Sequence, residues 1–344
     1  MINLSKIVRW GYYLWRHHIP FIPKLLQFIC FLCYSSAISY KVKLGKGTFF
    51  NHVGFGVLIN ENVVVGDNCK IGNNVSIVGQ GPYKNAPLLK NLAYDPILSK
   101  VKLIAEAWDA GGLYQVGSFP SWHRWAEWNG KYRDDIRCFL KGDNGRAYYA
   151  SQRIMGSPDI YPPEYRGDNA TVNFITCHDG FTLYDLYSYN HKHNEGNGWN
   201  NTDGDDSPTS WICGVEGETS DPNIMGLRIR MVKNAFAVLL CSRGAAMFPA
   251  GDEFCNTQFG NNNAYCQDNA ISWLDWNDIK KNHDTYDFLK KLIAFRKDHP
   301  VFHSGTQKRR VDYRSNGAPD VSFHGEQAWA PRFDNFYRHI GIMY

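Results

Sequence analysis

Three short apolar runs that each end in a carboxylate place the tightest limit on how this 344-residue chain can fold. Val101-Lys102-Leu103-Ile104-Ala105 leads to Glu106, and Trp108, Asp109 and two glycines follow. Thr171-Val172-Asn173-Phe174-Ile175-Thr176-Cys177 leads to His178-Asp179-Gly180. Ala245-Ala246-Met247-Phe248-Pro249-Ala250 leads to Gly251-Asp252-Glu253. Nearly continuous apolar runs of this length read as strands buried on both faces of a parallel sheet. A carboxylate at the C-terminal end of such a strand is where a (β/α)8 barrel holds its catalytic groups. The expectation is therefore a set of acids gathered at one face of a barrel.

A second period governs the N-terminal part. Val53, Ile59, Val65, Ile71 and Ile77 recur every six residues, and Val57, Val63, Cys69 and Val75 form a parallel ladder. Gly66-Asp67-Asn68 and Gly72-Asn73-Asn74 fill the corners. A strand repeats every two residues and a helix every 3.6, so a six-residue repeat predicts stacked β-helix coils instead. Ahead of it, residues 2–40 read as two helical stretches broken at Pro20 and Pro23. Further helices are expected over 225–240 and 284–296.

Composition narrows the setting. The formal net charge is +4, spread along the chain, and no basic block argues for nucleic acid. Nine scattered cysteines suggest a reduced, cytoplasmic compartment. Cys30 and Cys33 read as core helix residues. The most apolar segment, 25–38, is interrupted by Gln27 and is shorter than the ~20 residues a membrane span requires. No membrane partner is expected. Trp122, Trp125 and Trp128 read as core packing. Asp203, Asp205 and Asp206 lack the glycine and glutamate of an EF-hand loop, so the loop over 187–208 reads as solvated and no metal is expected.

Several of these stretches carry a resemblance. KLIAEAWDAGG, VNFITCHDG, GETSDP, AGDEF and GNNNAYCQDNAISWLDW look like the bacterial glycogen debranching enzymes and isoamylases of the α-amylase superfamily, from about residue 88 onward. The resemblance implies a retaining hydrolase of α-1,6 branch points in glycogen or limit dextrin, with no cofactor. It implies Glu106 as general acid/base and Asp179 as transition-state stabiliser. His178, Trp108, Asn263 and Tyr265 would bind substrate, while Asp252 and Glu253 would shape the barrel mouth. The family's nucleophile lies in a G-F-R-x-D segment ahead of the general acid, and no such segment precedes Glu106. Phe295-Arg296-Lys297-Asp298 mimics it, but on a helix and after the acid it should precede.

The six-residue repeat resembles hexapeptide-repeat acyltransferases, serine acetyltransferases in particular. His52 then falls at the catalytic base, which would activate a serine hydroxyl toward acetyl-CoA. Ala37 and Ser39 stand where that family carries its supporting acid and second histidine. His52 reads equally as a solvated coil residue. The fold class expected is α/β. Residues 1–43 form a helical segment and 44–87 a left-handed parallel β-helix fragment. Residues 88–305 form the C-terminal half of a (β/α)8 barrel, and 306–344 the start of a β-domain. With a junction over 81–92, the chain reads as a chimera of two truncated proteins. A barrel missing half its strands is expected to expose sheet edges and to fold poorly.

Overall fold

The computed structural model describes residues 3–61, 63–73, 75–77, 86–109, 112–162, 166, 170–306 and 308–344. The side chains of His52, Val53 and Ile77, and residues 81–85 of the expected junction, lie outside the described residues. The chain divides into two compact units, 1–84 and 85–344.

In the first unit two helices, α1 (Leu4–Arg16) and α2 (Ile22–Tyr34), pack as a hairpin. Asn3 caps α1 by accepting from the Ser5 N–H, and Pro23 lies in the first turn of α2, where a missing N–H costs nothing. Seven two-residue strands follow: β1 (Ala37–Ile38), β2 (Lys43–Leu44), β3 (Phe49–Phe50), β4 (Leu58–Ile59), β5 (Val64–Val65), β6 (Lys70–Ile71) and β7 (Ser76–Ile77). They pair in parallel in three ladders, β1-β4-β7, β2-β5 and β3-β6. Ala37 pairs with Leu58 and Leu58 with Ser76, so one circuit takes 21 residues and the next 18.

The additional residues fall between β3 and β4, in the 3-10 turn Asn51–Gly54 that carries His52. Val53, which the six-residue ladder counted as a strand residue, therefore sits in this turn, and the buried Phe50 holds the strand position. Ile38, Leu44, Phe50, Ile59 and Ile71 are buried in one core together with Leu4, Ile7, Val8, Cys30 and Tyr34 of the helices. Val65 is half-buried against it. Cys30 is interior as expected, whereas Cys33 is exposed. At Gly45 a Cβ would lie 2.3 Å from the backbone of Gly66, so the coils stack at a distance only glycine permits.

The second unit is built on a four-stranded parallel sheet in the order β11-β10-β9-β8, with β8 (Leu103–Ala105), β9 (Trp125–Trp128), β10 (Thr171–Asn173) and β11 (Ala245–Ala246). The apolar runs pointed to β8, β10 and β11. They did not point to β9, whose tryptophans were read only as core packing and whose sequence, Trp-Ala-Glu-Trp, carries an acid. That acid, Glu127, is fully buried and paired with Arg166. Helices Gly130–Lys141, Pro222–Leu240 and His283–Asp298 contribute to the main core, in which Tyr132, Ile136, Val232, Ala235, Phe236 and Leu289 are buried. Among the described residues the sheet is open, with β8 and β11 at its edges. Ile104 of β8 is exposed, and a cavity of about 650 Å³ lies beside β11, lined by Leu240, Ala245, Phe248 and Ile293. A last antiparallel pair, β12 (Ser322–His324) with β13 (Gly341–Met343), packs around Val321 and Phe323.

Candidate functional site

Parallel pairing determines where the acids fall. Glu106 directly follows β8, and the segment 174–180 follows β10, so both lie beyond the same end of the sheet with β9 between them. Glu106 is exposed between two buried alanines, Ala105 and Ala107, and has no hydrogen-bond or ion-pair partner among the described residues. β10 ends at Asn173, and the irregular backbone beyond it leaves His178 and Asp179 both exposed.

Aromatic rings join the two segments. Trp108 lies 6.3 Å from Trp128, the last residue of β9, and stacks at 6.4 Å on Phe174. Trp128 is 5.6 Å from both Phe174 and the His178 imidazole. Trp128 is thus half-buried at the strand end rather than inside the core. The sequence signal was available there, since a tryptophan closing a parallel strand faces the same end as Glu106.

Buried polar groups hold the 174–183 segment. Arg137 donates to the Ile175 carbonyl at 2.9 Å and to that of Pro208 at 2.9 Å. The Thr176 hydroxyl and the Leu183 N–H donate to Asp252, and Gly180 N–H donates to the Asn262 carbonyl at 2.9 Å. The Cys177 thiol donates to Asp179 Oδ1 at 2.6 Å. That donor escaped the sequence reading, although it lies two residues from the aspartate it orients. The ligand atoms of Cys177, His178 and Asp179 lie within 4.8 Å of one another, the spacing a metal ion could use. Burial and the neighbouring Asp179 push the Cys177 thiol up to about 12, which favours a protonated donor over a metal-binding thiolate. A cavity of about 240 Å³ adjoins this segment, lined by His178, Gly180, Ala250, Asp252 and Asn256 among others.

Asn263 and Tyr265 lie on the segment that begins at Asn262. The Asn263 amide donates to Asp203 at 2.8 Å. The exposed Tyr265 hydroxyl accepts from Trp199 at 2.9 Å. The loop over 187–208 differs from its expected solvated state. Asn194, Asn197, Asn261 and Asn262 are buried and bond one another across it: Asn194 donates to Asn262 at 2.9 Å and Asn261 to Asn197 at 2.8 Å. Amide side chains both donate and accept, so a buried asparagine cluster can satisfy itself without charge.

Two acids below the site are held interior. Burial pushes Asp252 up to about 7, against donation from Leu183 and Thr176, and Asp185 up to about 6, against donation from Thr257, Gln258 and Gly260. An unfolded aspartate titrates near ~3.9. Between those values the folded chain retains protons that the unfolded chain releases. These two groups therefore make stability greatest below ~pH 4 and decreasing as pH rises toward about 7. Asn at position 252 mimics the protonated form. The expected result for Asp252→Asn is a flatter urea-midpoint profile between roughly pH 4 and pH 7. A profile at least as steep as the parent's would refute the assignment.

No family model matches this chain. It is 52% identical over 209 residues to the glycogen operon protein GlgX homolog of Mycobacterium bovis, covering 60% of this chain and 29% of that protein. It is 44% identical over 256 residues to isoamylase 3 of Oryza sativa subsp. japonica, covering 74% of this chain and 32% of the other. Among solved structures, the pullulanase from Paenibacillus barengoltzii in complex with maltohexaose and α-cyclodextrin matches 71% of this chain and 34% of its own, at 21% identity and a TM-score of 0.46. The chain spans about a third of the length of the curated relatives it matches, and over most of its residues it is similar to proteins named glycogen operon protein and isoamylase.

Proposed function

We propose that the second unit is the acid-bearing and sugar-binding part of a retaining α-glucan debranching hydrolase, corresponding to the C-terminal half of a (β/α)8 barrel. One observation carries this reading: Glu106 and Asp179 follow parallel strands one apart in the sheet, bridged by Trp108, Trp128 and His178. In this reading Glu106 protonates the α-1,6 glycosidic oxygen as the bond to the departing chain breaks. Asp179, oriented by the Cys177 thiol, holds sugar hydroxyls and stabilises the oxocarbenium-like charge. His178 donates to a hydroxyl in the same subsite, and Trp108 with Tyr265 offers ring faces to sugar. The substrate is a branched α-glucan.

Completing the reaction also needs a carboxylate nucleophile ~5–5.5 Å from the acid. Only three acids precede Glu106: Glu61, Asp67 and Asp95. Glu61 pairs with Lys41, Asp67 accepts from the Lys46 N–H, and Asp95 accepts from the N–H groups of Ile97 and Leu98. We therefore read this chain as binding glucan without turning it over.

A second reading applies to the first unit. Its three parallel ladders support a left-handed hexapeptide-type β-helix fragment, joined to the second unit as a chimera. His52, in the extra turn between β3 and β4, would be the acyltransferase base, with acetyl-CoA as donor. Ala37 and Ser39 give it no carboxylate to orient it.

The test is affinity electrophoresis of the whole protein in gels cast with glycogen. Retardation is expected, with Asp179→Ala weakening it ten- to hundredfold, the range for lost hydrogen bonds to a charged group. Parent protein that migrates identically with and without glycogen would overturn the proposal.

A further inference from the structure

We infer that the α1–α2 hairpin of the first unit is a docking surface for an anionic membrane, lying in the plane of the headgroups. Three observations support it. First, the outer face of α2 is apolar and exposed, and that of α1 presents aromatic rings beside basic residues. On α2, Leu25, Phe28 and Leu32 recur at spacings of three and four, which places them on one stripe, and all three are more than half exposed, as is Phe21 just ahead of the helix. On α1 the exposed stripe is Lys6, Trp10, Tyr13 and His17, with Trp10 68% exposed and the Tyr13 ring tilted against His17 at 4.3 Å. The buried side of α1 is already occupied by the coils: Leu4, Ile7 and Val8 sit in the core, and Arg9 donates to the carbonyls of Gly45 and Thr48. Chains that stay apart in water seldom leave such large contiguous apolar patches uncovered.

Second, the charge is one-sided. No aspartate or glutamate occurs among the first sixty residues. Residues 1–84 hold nine lysines and arginines against two acids, Glu61 and Asp67. Glu61 is already paired with Lys41 at 2.7 Å. The small positive charge of the whole chain hides this concentration, because the remainder carries more acids than bases.

Third, the length is wrong for crossing. α2 has 13 residues, and a span takes ~20. No helix among the described residues is long and apolar enough to cross a membrane.

A second copy of the chain is the competing occupant. Pairing this face with itself would bring Arg16 and Lys24 against other cations, with no acid on the hairpin to separate them. An anionic bilayer answers both features at once. Aromatic and leucine side chains enter the headgroup boundary, and basic residues meet lipid phosphates. The expectation of no membrane partner, drawn from the absence of a spanning segment, does not address this mode of attachment.

The experiment is flotation of the full-length protein with vesicles of phosphatidylcholine alone or mixed with phosphatidylglycerol. Flotation separates bound protein from aggregate, which stays at the bottom. The expected result is recovery with phosphatidylglycerol-containing vesicles, reduced at high salt, and little with phosphatidylcholine. Leu25→Ser with Phe28→Ser should weaken binding at least about tenfold, since each removes exposed apolar area from the bilayer. Lys24→Gln should weaken it about fivefold, the weight of one basic residue near an anionic surface. All these side chains are exposed, and circular dichroism would verify that each variant keeps its helices. Equal flotation with both vesicle types, or none with either, overturns the inference. So does a stoichiometric oligomer in sedimentation equilibrium that Phe28→Ser dissociates, which assigns the face to a second copy.

Discussion

Purified protein is expected to release no reducing ends from glycogen or pullulan beyond the level of its Glu106→Gln variant. The physical reason is the division of labour in a retaining glycosidase. An acid at the leaving oxygen lowers one part of the barrier, and a carboxylate on the other face forms the glycosyl intermediate. In the proposed reading Glu106 takes the first role, and each of the three acids that precede it has a hydrogen-bond or ion-pair partner elsewhere. In a triad hydrolase, losing the nucleophile leaves only ~10³–10⁴-fold over the uncatalysed rate, and that remainder relies on a preorganised cleft. Among the described residues the parallel sheet has four strands and does not close on itself. Reducing-sugar assays with the Glu106→Gln control measure this directly. Turnover above the control would mean that another carboxylate of this chain serves as nucleophile.

The second large effect concerns stability. Glu127→Ala should remove about 3–5 kcal/mol from the second unit, read by urea denaturation, the cost of leaving one member of a buried ion pair alone. Glu127 is fully buried on β9 and pairs with the buried Arg166. It also accepts from the Gly117 N–H at 2.7 Å and from the Tyr161 hydroxyl at 3.4 Å. Burial raises its pKa even against the attraction of Arg166, so the site is costly to build. Deleting the acid strands a guanidinium and two donors at once. A loss of that size is comparable with the whole stability of an ordinary domain, ~5–15 kcal/mol. Replacing both partners, Glu127→Met with Arg166→Met, should recover most of it, because the pair's desolvation is removed together with its attraction. A single variant that loses less than about 1 kcal/mol would show the pair to be solvated instead.

Sequence periodicity alone was enough for the two kinds of backbone. The six-residue repeat anticipated the parallel ladders of the first unit, because one coil side must bury one side chain each time round. The apolar runs anticipated where β8, β10 and β11 lie, but of the three only β10 is buried throughout, while Ile104 of β8 is exposed and both residues of β11 are half-buried. Glu106, His178 and Asp179 were legible for the same reason: each directly follows or lies just beyond one of those runs.

What remained hidden depends on contacts between residues distant in sequence. β9 was missed because its acid is neutralised by Arg166, 39 residues later, and only that pairing makes Glu127 compatible with a buried strand. The asparagine network that fixes the 187–208 loop was read as solvent-facing, since Asn194 and Asn262 become partners only when segments 68 residues apart meet. The insertion that moves Val53 off its ladder follows from β3 and β4 being nine residues apart rather than six, which pairing reveals and a running period does not. The exposure of Trp10, Leu25 and Phe28 is likewise a tertiary outcome. An apolar helix face looks the same in sequence whether the fold covers it or leaves it open, and here the coils cover only one side of the hairpin.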